Sequence, residues 1–271
     1  MSIFQALILG LIQGLTEFLP VSSSGHLALA EKLFGLQGNN LRFEVFVHLG
    51  TLLSVVIYFR IKIGKLIKSI FKGRMYYQKG WCFTDDNLRL SLLLMLATIP
   101  AAFIGYKFDD VIEQAFASPI AVSVFLLVTG TILFLTCLVK SHEGKINWWR
   151  ALVIGLAQAV AILPGVSRSG STISAGIFTK MNQEKAAEFS FLLSIPIILG
   201  AGVVKLKDML ETGLLSSELV LLMVGAVTAA ISGYWAIKVL LQIVKKGRLE
   251  YFAYYCWAAG LAGLVWFVMV K

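Results

Sequence analysis

Gln13-Gly-Leu-Thr-Glu17-Phe-Leu-Pro20-Val-Ser22-Ser23-Ser24-Gly25-His26 places an amide, an acid, three serine hydroxyls and an imidazole inside an otherwise apolar run. A helix facing hydrocarbon does not tolerate such a set, because unpaired polar groups are expensive to take out of water. A close variant returns much later, as Gly155-Leu-Ala-Gln158 followed by Leu163-Pro-Gly165-Val-Ser167-Arg168-Ser169-Gly170-Ser171-Thr172. A shift of 145 positions lays Gly10-Leu11, Gln13, Val21-Ser22, Ser24 and Gly25 on Gly155-Leu156, Gln158, Val166-Ser167, Ser169 and Gly170 without a gap. The rest of the chain reads as a frame that brings these two copies together.

Composition sets the class of that frame. Hydrophobic residues make up 58% of the 271 and charged residues 14%, and the mean hydropathy is +0.82; a soluble domain is roughly 45–50% apolar. A polytopic membrane protein, one integral membrane domain over 1–271, is the class that fits. The formal charge of +9 does not point to nucleic acid, since the basic residues fall in short segments between apolar spans. Cys82, Cys137 and Cys256 show neither a disulfide framework nor zinc-ligand spacing and read as packing residues. No basic region precedes the first apolar run, so the N-terminus reads as mature structure rather than as a signal peptide.

Within the first run, from Ile3 to Phe34, Pro20 and the serine cluster break the helix, because proline removes a donor and serines compete for the backbone. Two half-helices, roughly 4–17 and 24–34, each of about 15–20 Å, reach only partway through a ~30 Å hydrocarbon core. They predict a re-entrant hairpin over about 3–34 whose broken tip is packed in protein or lines a wet cavity. The second copy predicts another over about 148–180, with half-helices at 148–163 and 172–180.

Full spans are expected at 43–60, 88–106, 119–139, 187–206, 218–240 and 251–270. Arg60, Lys62, Lys65, Lys68, Lys72, Arg74 and Lys79 follow the first span with no acid among them, a positive-inside signal that places this loop in the cytoplasm. Alternation then puts the Asp109-Asp110-Val-Ile-Glu113 segment outside, the Lys140 to Arg150 loop inside and both termini outside. The two hairpins enter from opposite faces. Repeat 1, about 1–140, and repeat 2, about 148–271, thus form an inverted-topology repeat, whose site is expected at the midplane where the broken tips meet.

Helix N-termini near Gly25-His26 and near Gly170-Ser171-Thr172 aim backbone N–H groups at that midplane, a setting that attracts anions. Arg168 adds a charge whose planar fork matches phosphate. Hydroxyls of Ser22, Ser23, Ser167, Ser169 and Thr172 can donate to phosphate oxygens. Glu17 supplies a base or metal ligand, and His26 a proton donor near a candidate nucleophile, Ser23. Each group also has a structural reading: serines that bond back to their own backbone, an Arg168–Glu17 pair, a satisfied interior His26. His48 reads as structural within a span and His142 as a surface residue. Chemistry alone leaves an enzyme and a carrier of anionic lipids level, with a purely structural membrane protein the third reading.

The first stretch, with Gln13 four residues before Glu17, resembles the first signature of the undecaprenyl-diphosphate phosphatases, the bacitracin-resistance membrane family. Pro164-Gly165-Val-Ser167-Arg168-Ser169-Gly170-Ser171-Thr172 resembles the second. The order and spacing of the two signatures make the resemblance essentially full-length. It implies hydrolysis of the C55 prenyl diphosphate to the monophosphate carrier of bacterial wall synthesis, bacitracin resistance, dependence on a divalent cation, Mg²⁺ or Ca²⁺, and a site open to the outer, periplasmic face of the inner membrane. By the same resemblance Ser23 is the nucleophile, His26 a proton-transfer residue, Glu17 the essential acid and a metal ligand, and Arg168 the phosphate-binding arginine. Gln13, Ser22, Ser167, Ser169, Gly170 and Thr172 are expected to bind substrate. The chain departs from many members at Gln13, where a Glu-xxx-Glu pair has its first acid, and Glu17 is left as the sole acid of this motif. The expected partners are the C55 lipid, the bilayer and a second copy in a homodimer, with no nucleic acid; the alternative function is a flippase for anionic prenyl phosphates.

Overall fold

A computed structural model describes residues 1–36, 41–72, 75–77, 81–83, 85–108, 118–140, 143–212 and 216–269. The acidic segment from Asp109 to Glu113, Arg74, Lys79 and His142 lie outside the described residues.

The chain opens with α1, Ile3–Phe18, started by a reciprocal capping box between Ser2 and Gln5. After the Pro20 break α2 runs Ser23–Leu33. Then come α3, Leu41–Tyr58, and α4, Arg60–Lys72. Two short strands, β1 (Met75–Tyr77) and β2 (Trp81–Phe83), pair antiparallel. They are followed by α5, Asp86–Lys107, and α6, Pro119–Leu135, which a 3₁₀ turn at Thr136–Leu138 extends. The second half holds α7, Trp148–Val160, α8, Arg168–Phe178, α9, Gln183–Thr212, α10, Ser216–Lys245, and α11, Glu250–Met269. Among the described residues the architecture is helical apart from that small hairpin. Six helices among the described residues, α3, α5, α6, α9, α10 and α11, are long and apolar enough to cross a membrane, whereas α1 and α7 are shorter apolar helices.

Three elements differ from the sequence expectation. The basic stretch after the first span is helical: α4 buries Leu66 and Ser69, while Ile61, Ile67, Ile70 and Phe71 lie exposed beside its lysines. Its apolar residues recur at helical spacing, a signal that the charge run masks. The last half-helix begins at Arg168 rather than at 172, because Ser167 Oγ accepts from the Gly170 N–H and caps the first turn. Arg168-Ser169-Gly170 is therefore helix, and the break lies upstream at Leu163-Pro-Gly165, where Gly165 has φ +91°. Cys256 is buried as expected of a packing residue, but Cys137 is exposed.

The packing crosses the two halves of the chain. α1 lies along α10, and α7 along α5; α3 is flanked by α10 and α9, and α11 runs beside α6. Small residues permit the approach. A Cβ on Gly10 would stand 2.5 Å from the Gly225 carbonyl oxygen, and one on Gly155 2.5 Å from that of Ala97. Beneath the tips, Phe18 and Phe191, both fully buried, meet edge to face at 5.6 Å. Around them Val55, Ile173, Ile177 and Ile237 complete a core that joins α1, α3, α8, α9 and α10. Phe18 follows Glu17 directly, so this core fixes where the acid stands.

Candidate active site

The last turn of α1 aligns Gln13 and Glu17 on one face, and Gln13 Nε2 donates to Glu17 Oε2 at 2.9 Å. Past the break, Ser22 sits at φ 66°, ψ 90°, a conformation that costs a non-glycine residue of the order of 1–3 kcal/mol. Its Oγ caps α2 by accepting from the Gly25 N–H at 3.3 Å. That kink turns the first helical residue, Ser23, back over α1, where its Oγ donates to Glu17 Oε2 at 2.6 Å. Across the interface Arg168, the first residue of α8, reaches Glu17 Oε1 with Nη2 at 2.5 Å. Its Nη1 donates to the Ser190 carbonyl of α9 at 3.4 Å.

The two tips are tied directly. Ser169 Oγ donates to the Leu19 carbonyl at 3.1 Å. Thr129 of α6 grips the second tip from behind, donating to the Gly165 carbonyl at 3.1 Å and accepting from the Ser167 N–H at 3.0 Å. A cavity of about 410 Å³ opens over the junction, lined on its polar side by Glu17, Ser23, Ser167, Arg168, Glu44 and His48. Ile162, Val166, Ile197 and Ile198 make the apolar wall. Its size lies within the range of small-ligand sites.

The expected residues sort into two groups. Glu17, Ser22, Ser23, Ser167 and Arg168 line the cavity. Gln13, fully buried, stands behind Glu17. Ser169 and Thr172 are buried in the frame, and Thr172 bonds back to the Arg168 carbonyl at 2.8 Å and meets Ser190 Oγ at 2.6 Å. Gly170 is the residue whose N–H the Ser167 cap takes, and a Cβ there would meet Pro20 Cβ at 3.3 Å. His26 faces away from the cavity. Its Nδ1 donates to the Ser22 carbonyl at 2.8 Å, its Nε2 accepts from Tyr255 Oη at 2.7 Å, and its ring stacks on Tyr255. One helical turn separates it from the Ser22 carbonyl, so its own backbone captures it.

Sequence reasoning set His48 aside as structural and did not name Thr129. His48 Nδ1 donates to the Glu44 carbonyl at 2.7 Å, which leaves Nε2 as the free ring nitrogen, 3.7 Å from Glu17 Oε2. No local pattern marks either residue; each is polar within an apolar span, and that alone could have raised it.

The donor set does not suit a resident cation. Glu17 Oε1 is engaged by Arg168, and Oε2 by Gln13 and Ser23. Among the described residues no three His, Cys, Asp or Glu side chains are grouped to hold a metal ion. What the arrangement can do is deprotonate a serine beside an arginine that faces the same space.

The family model described as bacitracin resistance protein BacA matches residues 6–262. The chain belongs to the BacA family. A protein of Carboxydothermus hydrogenoformans named undecaprenyl-diphosphatase is 46% identical over 270 residues, 98% of this chain and 97% of the relative. Proteins of the same name from Halothermothrix orenii and Methanobrevibacter smithii are each 43% identical, over 96% of both chains. Membership in BacA and the six apolar helices make this a multi-pass membrane protein.

Proposed function

We propose that the chain hydrolyses undecaprenyl diphosphate to undecaprenyl phosphate and inorganic phosphate, returning the lipid carrier to bacterial cell-wall synthesis and conferring resistance to bacitracin. The observation that carries this reading is the hydrogen bond from Ser23 Oγ to Glu17 Oε2 at 2.6 Å on a carboxylate held by Arg168, in a chain whose BacA-family relatives bear the diphosphatase name. Ser23 Oγ attacks the terminal phosphorus as Glu17 takes its proton. The anhydride P–O bond breaks, and undecaprenyl phosphate leaves with the proton that Glu17 took from Ser23. Glu17, ionised again, deprotonates a water that attacks the phosphoserine, and Ser23 Oγ leaves with that proton as inorganic phosphate is released. Arg168 turns its remaining donors to the phosphoryl oxygens, where charge stabilisation supplies most of the rate. Gln13 holds Glu17 in place, and His26 steadies the Ser22 carbonyl and with it the strained tip. A carrier of prenyl phosphates needs the cradle but leaves the Ser23–Glu17 contact without a purpose.

The α1–α2 and α7–α8 units act as re-entrant hairpins of an inverted repeat. Several correspondences support this. Ser22 and Ser167 cap equivalent helices through equivalent bonds to Gly25 and Gly170. A Cβ on Gly25 would meet Gly165 and one on Gly170 would meet Pro20, and the 145-residue shift exchanges these two contacts. The catalytic cavity opens to the outer face of the bacterial inner membrane, with both termini outside and α4 inside, as the basic segments require. The protein assembles as a homodimer, checked by its mass in detergent.

Phosphate release from C55 prenyl diphosphate by the purified protein tests the reading. Wild type should turn over and Ser23→Ala should lose at least about 10³-fold in kcat. Rapid quenching with substrate labelled in its terminal phosphate should trap phosphoserine at Ser23. Turnover in Ser23→Ala near the wild-type rate, with no trapped adduct, would favour water as the attacking group.

A further inference from the structure

A second cavity, of about 330 Å³, lies between α4, α5, the segment before α7 and the start of α9. It stands at the opposite end of α3 and α9 from the Ser23 cavity: the latter uses Glu44 and His48 near the start of α3 and Lys205 toward the end of α9. The second uses Lys62, just past the end of α3, and Lys185 and Glu188 at the start of α9. The two are also related by the repeat. A shift of 144 positions carries Leu41, Glu44, Val45 and His48 onto Lys185, Glu188, Phe189 and Leu192, and each member of both sets lines its own cavity.

The second cavity keeps the acid, Glu188 for Glu44, but lacks the histidine and carries more charge. Leu192 stands where the first cavity has His48, and Lys185 where it has Leu41. Four cations, Lys62, Arg89, Lys145 and Lys185, face two acids, Asp86 and Glu188, across it. One cation and one acid neutralise each other, Lys62 Nζ being 3.5 Å from Glu188 Oε1. Arg89 is steered by the Ile146 carbonyl at 3.4 Å. Below this rim lie Leu93, Phe189 and Leu192. Beside it α4 leaves Ile61, Ile67, Ile70 and Phe71 exposed among lysines, the composition of a helix lying at a membrane surface.

We propose that this cavity binds the phosphate headgroup of an anionic membrane phospholipid, with the cationic rim taking the phosphate and the apolar floor the start of the acyl chains. Basic recesses between membrane helices are suited to that chemistry, each nearby Lys or Arg contributing about 1 kcal/mol toward an anionic surface. The apolar floor argues for a lipid over a free anion, which has nothing to place there.

Native mass spectrometry of the full-length protein, released from nanodiscs of equal parts phosphatidylglycerol and phosphatidylcholine, tests the site. Wild type should retain phosphatidylglycerol preferentially. The Arg89→Gln/Lys185→Gln variant should lose about 25-fold of that preference, at about fivefold per charge. Lys145→Gln, in the segment before α7, should lose about fivefold and serves if the double variant does not fold, a point that melting in phosphatidylcholine alone decides. Equal preference in wild type and in a folded variant would overturn the proposal. So would displacement of the lipid by millimolar inorganic phosphate, which would make this a free-phosphate site. The readout is lipid retention and involves no turnover, so failure to hydrolyse the C55 diphosphate would count against the function proposed above and not against this site.

Discussion

Arg168 and Glu17, 151 positions apart, meet at 2.5 Å where the two helix breaks join, and the side chains are only 16% and 7% exposed. Neither can stand alone at that depth. A buried charge stripped of its partner costs of the order of 3–5 kcal/mol, so the pair locks the two halves of the chain together while it shapes the site.

Arg168→Lys should keep a charge near Glu17 but lose the fork that reaches Glu17, Ser190 and the cavity together, and kcat should fall about 10²-fold. Arg168→Ala should be worse and should also lower the melting temperature, because it leaves the carboxylate unpaired. Near-normal turnover in Arg168→Lys, measured as phosphate release, would mean that charge alone suffices.

His48 Nε2 faces Glu17 Oε2 at 3.7 Å from a ring held by the Glu44 carbonyl. His48→Leu should lower kcat severalfold with little change in KM, because it sets an apolar side chain against the buried Glu17 carboxylate. His48→Gln, which keeps a polar group there, should recover much of the loss. His26→Ala should act differently, through the Ser22 carbonyl and Tyr255, and should lower stability together with activity.

A divalent cation should bind the free protein weakly, because both Glu17 oxygens are already engaged. Where the protein offers so few ligands, Mg²⁺ is bound chiefly through substrate phosphates. Titration calorimetry of the substrate-free protein should show no tight Mg²⁺ or Ca²⁺ site, while chelation should still abolish turnover. A micromolar site in the absence of substrate would overturn this expectation.

Orientation can be read by thiol labelling in a background without Cys82, Cys137 and Cys256. With a reagent that does not cross membranes, Lys32→Cys at the end of α2 should label in intact cells, and Lys72→Cys at the end of α4 only after lysis. The reverse pattern would turn the catalytic cavity toward the cytoplasm.

Much of this protein is settled by its sequence, because the deciding physics acts over a few residues. Pro20 and the Leu163-Pro-Gly165 stretch keep α1 and α7 from running on, and Ser22 and Ser167 cap the next helices through bonds to residues three positions on. The apolar spans follow from hydropathy, and the alignment of Gly10 with Gly155 is a property of the chain that needs no coordinates. Glu17, Ser23 and Arg168 could be named because they sit at those breaks. What only the tertiary structure decided is which groups share a space. His26 is adjacent to the cluster in sequence yet turns to Tyr255, 229 positions away, because the Ser22 carbonyl holds its Nδ1 and its ring stacks on Tyr255 of α11. His48 arrives from α3, in the packing that buries Phe18 and Phe191, and Thr129 from α6, which packs on α8 and α11. Such convergence depends on which helix faces which, and no period or spacing within one segment records that.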